Sequence, residues 1–231
     1  MDRGSPALRL TVPEPLKIDI WSDIACPWCF IGKRRFEAGA AEAGVPVEIE
    51  YHSFELSPDT PVDFEGSEVE FLAHHKGIPE ATAKQMIDRV TGIAASVGLH
   101  YDYDALQHTN TVKAHQLLHY AKLRGRQLEM KERLLSAYFQ EGRHVGRVED
   151  LADLAAELGF DRDDVIRSLE ADEHLADVHE DQAVARDFGI QGVPFFVIDR
   201  KYGVSGAQEP ATFAEVLRQV AAEKADAGVA S

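Results

Sequence analysis

The chain has 231 residues, 45% of them hydrophobic, enough to bury a core without disulfide staples. Its formal net charge of −16 and pI near 5.0, with no basic run or stripe, exclude nucleic-acid and anionic-membrane partners and leave the acidity as a solubility property. No apolar run approaches the roughly 18 residues of a membrane span, and Met1-Asp2-Arg3-Gly4-Ser5-Pro6 leads into no signal-peptide core, so a cytoplasmic location is expected.

Leu16 to Trp21 reads as a strand, Gly32 to Ala43 as a helix stopped by Gly44, and Val45 to Tyr51 as a half-buried alternating strand. Together they predict a βαβ opening, followed by a loop marked by Pro58 and Pro61. From about residue 67 to about residue 188 every segment has helical period. Ser67 and Glu70 have capping-box spacing, and apolar stripes over 86–97, 134–139 and 151–158 end at Gly98, Gly142 and Gly159. Asn110 reads as the N-cap of a helix carrying Val112, Leu117 and Leu118, with Tyr101 to Thr109 as a connecting loop, and Asp161 to Asp164 as an acidic helix start. Val193 to Asp199 is again strand-like, and a turn at Arg200 and Lys201 leads to a partner strand over Tyr202 to Gly206. An amphipathic helix with Phe213, Val216, Leu217 and Val220 on one face closes the chain, and Ala225 to Ser231 has the composition of a frayed tail. Strands at both ends with helices between them predict an α/β fold whose single sheet is interrupted by a helical insertion. The expected division is a discontinuous sheet domain over 16–64 and 189–224 and a helical domain over 65–188.

The only two cysteines stand as Cys26-Pro27-Trp28-Cys29, between the first strand and the first helix. A CxxC at a helix start is a thiol redox site, because the free N–H groups and dipole there stabilise a thiolate. Cys26 begins that helix and is expected to titrate below the ordinary thiol value of about 8.5, with Asp23 opposing the shift as a like charge. Pro27 suits the first helical position, where a missing N–H is no loss. Trp28 has two readings, a shield that contacts substrate or a residue packed on the surface. A half zinc site is the competing reading of the pair, but a four-ligand site needs a second CxxC or a histidine pair.

The run Asp23 to Phe36 around this dithiol, Asn110-Thr111 followed by Ala114-His115, and Gly192-Val193-Pro194-Phe195-Phe196 resemble, in order, the DsbA-like branch of the thioredoxin superfamily, and more closely its FrnE-type cytosolic oxidoreductases. The resemblance covers residues 16 to 222. It implies a thioredoxin fold with a large α-helical insertion and dithiol–disulfide exchange, with Cys26 as nucleophile, Cys29 as resolving residue and Pro194 as the cis-proline facing them. It further implies that the backbone of Val193 pairs with an extended substrate, beside contacts from Pro27 and Trp28. The implied partners are proteins or small molecules carrying disulfides or thiols, with no tightly bound cofactor and with glutathione as a candidate co-substrate; a homodimer is compatible with the chain.

Two departures qualify the resemblance. The buried acid that many thioredoxin-like proteins place six positions before the first cysteine is here Ile20, which leaves Asp23 as either a proton carrier or a loop and helix-cap residue. The second cysteine pair found in some FrnE-type proteins is absent. The neighbouring class is the glutathione-using 2-hydroxychromene-2-carboxylate isomerases and kappa-class glutathione transferases, which typically carry serine at the position of Cys26; Ser205-Gly206-Ala207 is the candidate contact for a glutathione γ-glutamyl group. Asn110 and Thr111 are read as helix-start residues, with a ligand contact as the minority reading. His115 and His119, spaced i, i+4, and the pair His74-His75 lack the constellation of a metal site and read as solvated or core-edge histidines.

Overall fold

The computed structural model describes residues 14–229, so Met1 to Pro6, on which the expectation about a leader rests, lies outside the described residues. Four strands form one mixed sheet: β1 (Leu16–Ser22), β2 (Val47–Ser53), β3 (Phe195–Ile198) and β4 (Tyr202–Ser205), in the order β2-β1-β3-β4. β1 runs parallel to β2 and antiparallel to β3, and β3 and β4 make the hairpin. Its turn differs slightly from expectation, with positive φ at Asp199 and Arg200, 51° and 56°.

The period of two decides which helix meets which face. Leu16, Ile18 and Ile20 stand level with Phe196 and Ile198, and they bury against Phe36 of α1 (Pro27–Ala43) and Phe213, Leu217 and Val220 of α9 (Pro210–Val229). α1 and α9 cross closely because position 39 is glycine: a Cβ there would come within 2.6 Å of the Pro210 carbonyl oxygen. Trp21 and Val197 point to the opposite face, where Ala185 and Ile190 cover them. α9 continues to Val229, so 225–229 is helical rather than a frayed tail; Ala-rich sequence permits that extension.

The segment between β2 and β3 carries seven helices joined by loops, as its period predicts: α2 (Glu68–Lys76), α3 (Glu80–Ser96), α4 (Val112–Lys122), α5 (Gln127–Gln140), α6 (Val148–Glu157), α7 (Arg162–Glu170) and α8 (Leu175–Asp187). Ser67 and Glu70 form the capping box of α2, and Asp161 caps α7 through the Asp164 N–H. One expectation shifts. The N-cap of α4 is Thr111, and Asn110 instead accepts the Val112 N–H through its side chain at 2.9 Å, a local side-chain turn that delays the helix by one residue. Leu117, Leu134, Tyr138 and Leu151 form the centre of this block, and the same core takes in Ile24, Phe30 and Ile31 from the end of β1 and the first turns of α1. The CxxC segment is therefore held by the packing of both parts of the chain.

On the outer face of the sheet, the His52 ring stacks on Trp21 (4.5 Å between centroids) and bridges two carboxylates, Asp19 at 2.9 Å and Asp181 of α8 at 2.8 Å. Despite burial, the two hydrogen-bonded acids push the His52 pKa up to about 9. A histidine raised above its unfolded value of 6.5 adds stability that is complete below that value and lost as pH rises through about 9. Wild type is therefore expected to lose about 2–3 kcal/mol between pH 6 and pH 9.5 that His52→Gln does not lose. Urea unfolding of both proteins across that window tests this; equal losses would remove the clamp.

Candidate active site

β1 delivers the chain to the sheet end at Ser22, and four residues later Cys26 takes the N-cap of α1 in extended conformation (φ −93°, ψ 111°), with Pro27 opening the helix. Asp23 shapes the intervening loop. Its carboxylate, 1% exposed, accepts from the Ile24 N–H (2.6 Å), the Leu56 N–H (2.8 Å), the Thr111 hydroxyl (2.8 Å) and His115 Nε2 (3.2 Å). Burial alone would raise its pKa, but the hydrogen bond and charge of His115, with Leu56 and Thr111, bring it below the usual aspartate value. Asp23 thus organises the loop through these four donors. Thr111 belongs to the site through Asp23, whereas Asn110 points away and donates to the Pro58 carbonyl at 2.9 Å.

The loop before β3 closes on the dithiol from the other side. The Val193–Pro194 peptide is cis, and the Val193 carbonyl oxygen lies 3.5 Å from Cys26 Sγ, placed to accept the S–H. Pro194 rests on α1 at Gly32, where an added Cβ would meet its ring at 2.9 Å. Tyr101, in a segment read from sequence only as a connection, donates its hydroxyl to the Pro27 carbonyl at 2.7 Å and so ties the helical block to the CxxC. Nothing in the local pattern around Tyr101 marks that contact, since it joins residues 74 apart.

Cys26, Pro27, Trp28 and Val193 together line a cavity of about 460 Å³ whose far wall is α2 and α3, including Leu72, Met86, Ile87 and Val90. Trp28 is 38% exposed at its mouth, so it faces the opening rather than packing away. Inside, Glu68 and His108 make a buried pair at 2.8 Å that the sequence reading did not single out. Lys76 and Arg89 supply cationic groups to the same lining, beside the His75 ring. Cys29 does not reach the cavity, and Ser205 to Ala207 lie instead beside Pro194, with the Gly206 N–H on the Pro194 carbonyl at 2.8 Å.

Both thiols are 3% exposed, and they titrate as a pair. The hydrogen bond to Cys29 raises Cys26 well above the ordinary thiol value, with burial and the charges of Cys29 and Asp23 adding to it. Burial would also raise Cys29, but the hydrogen bond from Cys26, the Lys131 ammonium, Ser22 and the Asp23 backbone bring it down. The expectation of a low Cys26 pKa is corrected accordingly. Cys26 caps no helix N–H with its side chain, and the Val193 carbonyl oxygen stands within reach of its Sγ. Access to the cavity belongs to Cys26.

The histidines are committed elsewhere. His115 faces Asp23, and His119 Nε2 lies 3.1 Å from both Ser53 Oγ and Asp181 Oδ2. Among the described residues, three potential ligands converge only at Asp19, Glu50 and His52, where Asp19 and Asp181 engage both His52 nitrogens and Lys122 pairs with Glu50.

Comparison with known proteins places this geometry. The chain is 38% identical to a probable DsbA oxidoreductase from Streptomyces coelicolor, with a TM-score of 0.81 over 88% of this chain and 89% of that one. It is 29% identical over 146 residues to the uncharacterized protein YwbO of Bacillus subtilis, a match spanning 62% of this chain and 66% of that protein. A 2-hydroxychromene-2-carboxylate isomerase shares the fold at 16% identity, with a TM-score of 0.70 over 91% of this chain and 98% of that one. No helix among the described residues is long and apolar enough to cross a membrane. The DSBA-like thioredoxin domain model matches residues 17–218, from the first strand through the last helix, and the chain belongs to that family.

Proposed function

We propose that this protein is a thiol:disulfide oxidoreductase or isomerase of the FrnE type, acting in the cytoplasm on protein or small-molecule disulfides through a mixed disulfide at Cys26. The observation that carries the reading is the asymmetry of the dithiol: Cys26 lines the cavity opposite Val193, and Cys29 lies behind it. An extended substrate that adds a backbone N–H to the Val193 carbonyl displaces the Cys26 S–H from it. The proton then passes to the neighbouring Cys29 thiolate, and the Cys26 thiolate attacks one sulfur of RSSR′, expelling RS⁻. Cys29 gives its proton to RS⁻ and attacks Cys26 Sγ, which releases R′S⁻. The outcome is one Cys26–Cys29 disulfide and, after protonation of the second product, two thiols, RSH and R′SH. Retention in a reducing compartment accords with a chain whose only cysteines are the catalytic pair.

A second reading is favoured by the cavity itself: about 460 Å³ of largely apolar space suits a small aromatic molecule handled with glutathione as co-substrate. The two readings are separated by incubating the reduced protein with glutathione disulfide and with a protein disulfide. Exchange predicts one disulfide consumed per protein and a Cys26–Cys29 bond formed. Isomerisation predicts turnover of an aromatic substrate that requires added glutathione and continues without Cys29; that result, with no disulfide consumed, would overturn the first reading.

A further inference from the structure

In a chain with 40 acidic and 24 basic residues, the wall of the dithiol cavity is charged against the trend. Its two acids are already engaged: Asp23 accepts from four donors, and Glu68 Oε2 holds His108 Nδ1 at 2.8 Å. Its two permanent cations are not. Lys76, at the end of α2, and Arg89, on α3, are exposed and reach no carboxylate within ion-pair distance among the described residues; Asp88, beside Arg89, turns to Lys84 at 3.3 Å. The charge offered to a molecule entering the cavity is therefore positive. Beside these cations the wall is apolar, formed by Phe71 and Leu72 of α2 and Met86, Ile87 and Val90 of α3. Met86 stays 42% exposed there, an apolar side chain open to the cavity rather than packed away. One polar atom in the wall lacks a partner. His108, 5% exposed, is stacked on Phe71 with 3.4 Å between ring centroids and held at Nδ1 by Glu68, which leaves its Nε2 without a hydrogen bond. An unsatisfied polar atom in a cavity wall is a place for a polar group of a ligand, and about 460 Å³ is the size of a small-molecule pocket.

We propose that the disulfides reduced at this site are small anionic ones with an apolar body: Lys76 and Arg89 receive the acidic group, Leu72, Met86 and Ile87 receive the body, and Cys26 meets the sulfur. This rests on the exchange reading and narrows it. Glutathione disulfide, which is anionic but has no apolar body, and polypeptide disulfides are the poorer substrates. The balance is that of the exchange reaction. The substrate S–S bond breaks, the Cys26–Cys29 bond forms and two electrons pass from the dithiol to the substrate. The substrate leaves as two anionic thiols, one protonated from Cys26 by way of Cys29 and the other from solvent.

The test follows single turnovers of the reduced full chain with four disulfides: dithiobis(nitrobenzoate), anionic with an aromatic body; dithiodipyridine, aromatic and neutral; glutathione disulfide; and insulin. Each second-order rate is divided by that of free dithiothreitol with the same disulfide, which removes differences in leaving group. Dithiobis(nitrobenzoate) is expected to lead each of the others by about tenfold or more. In the Lys76→Gln/Arg89→Gln double variant its lead over dithiodipyridine should fall about tenfold, the combined scale of two exposed ion pairs, and in wild type added salt should shrink the same lead. Both side chains are exposed, so the substitutions spare the core. An unreactive analogue, methylthiobenzoate, supplies a measurement without chemistry: calorimetry should show it binding to wild type and about tenfold more weakly to the double variant. Glutathione disulfide or insulin reduced as fast as dithiobis(nitrobenzoate), or a lead that the double variant and salt leave unchanged within about twofold, would overturn the proposal. Binding of the analogue to a protein that consumes none of the four disulfides would instead overturn the exchange reading alone, and the absence of both would overturn the two together.

Discussion

Cys26→Ala is expected to lower disulfide exchange at least about a thousandfold, the scale on which enzymes lose rate when their nucleophile is removed. The reason is access rather than charge. Cys26 faces the cavity and Val193, whereas Cys29 is no part of the cavity lining. Cys29→Ala should therefore remain able to attack but unable to finish, and should accumulate a mixed disulfide on Cys26 that reductant reverses. Mass spectrometry of both variants after exposure to glutathione disulfide reads this directly. Equal adducts on both, or none on either, would reverse the assignment of roles. A further consequence separates this site from one with an intrinsically acidic first cysteine. With no substrate bound, alkylation of Cys26 should be slow at neutral pH, because its contact with Cys29 and its burial raise its pKa.

Asp23→Ala is expected to destabilise the protein by about 3–5 kcal/mol, the range for removing one member of a buried, hydrogen-bonded charge network. The substitution leaves the Ile24 and Leu56 N–H groups, the Thr111 hydroxyl and His115 Nε2 without their shared acceptor, three of them in the interior. Asp23→Asn keeps the shape and one acceptor oxygen and should cost less. Urea unfolding with an unchanged dependence on denaturant would establish the loss as one of native stability. The chemistry should move in the opposite direction. The Asp23 charge helps to raise the Cys26 pKa, so a folded Asp23→Asn should show a more acidic Cys26 together with its lower stability. A variant as stable as wild type would show that the network contributes little beyond geometry.

The folded-state pKa of Asp23 lies below its ordinary value, so the stability it contributes is present above that value and is lost as pH falls through the folded one. That sign is opposite to the His52 clamp, which fails toward alkaline pH. Alkaline loss of stability thus reports the outer face of the sheet, whereas acid loss reports both the loop before the dithiol and Asp181 of the clamp, whose pKa its histidine partners also lower.

Local sequence determined the elements and the reactive residues. The period of two in β1, the Gly44 stop of α1, the capping box at Ser67 and the apolar stripes of the helical block all act over a few residues, and their elements form where the pattern places them. The CxxC is legible for the same reason, because both thiols and the helix start are adjacent in the chain. The meeting of Pro194 with Gly32, by contrast, joins residues 162 positions apart and was readable only through resemblance to a family. What tertiary structure alone decided is the electrostatics. Whether a thiol ionises depends on burial and on the groups that the fold brings beside it, and neither has a local signature. The helix start at Cys26 favoured a thiolate there; its contact with Cys29 and the loss of solvent oppose that. Desolvation and long-range charge act through space, so the same CxxC can be charged on either cysteine according to what the rest of the fold brings near it.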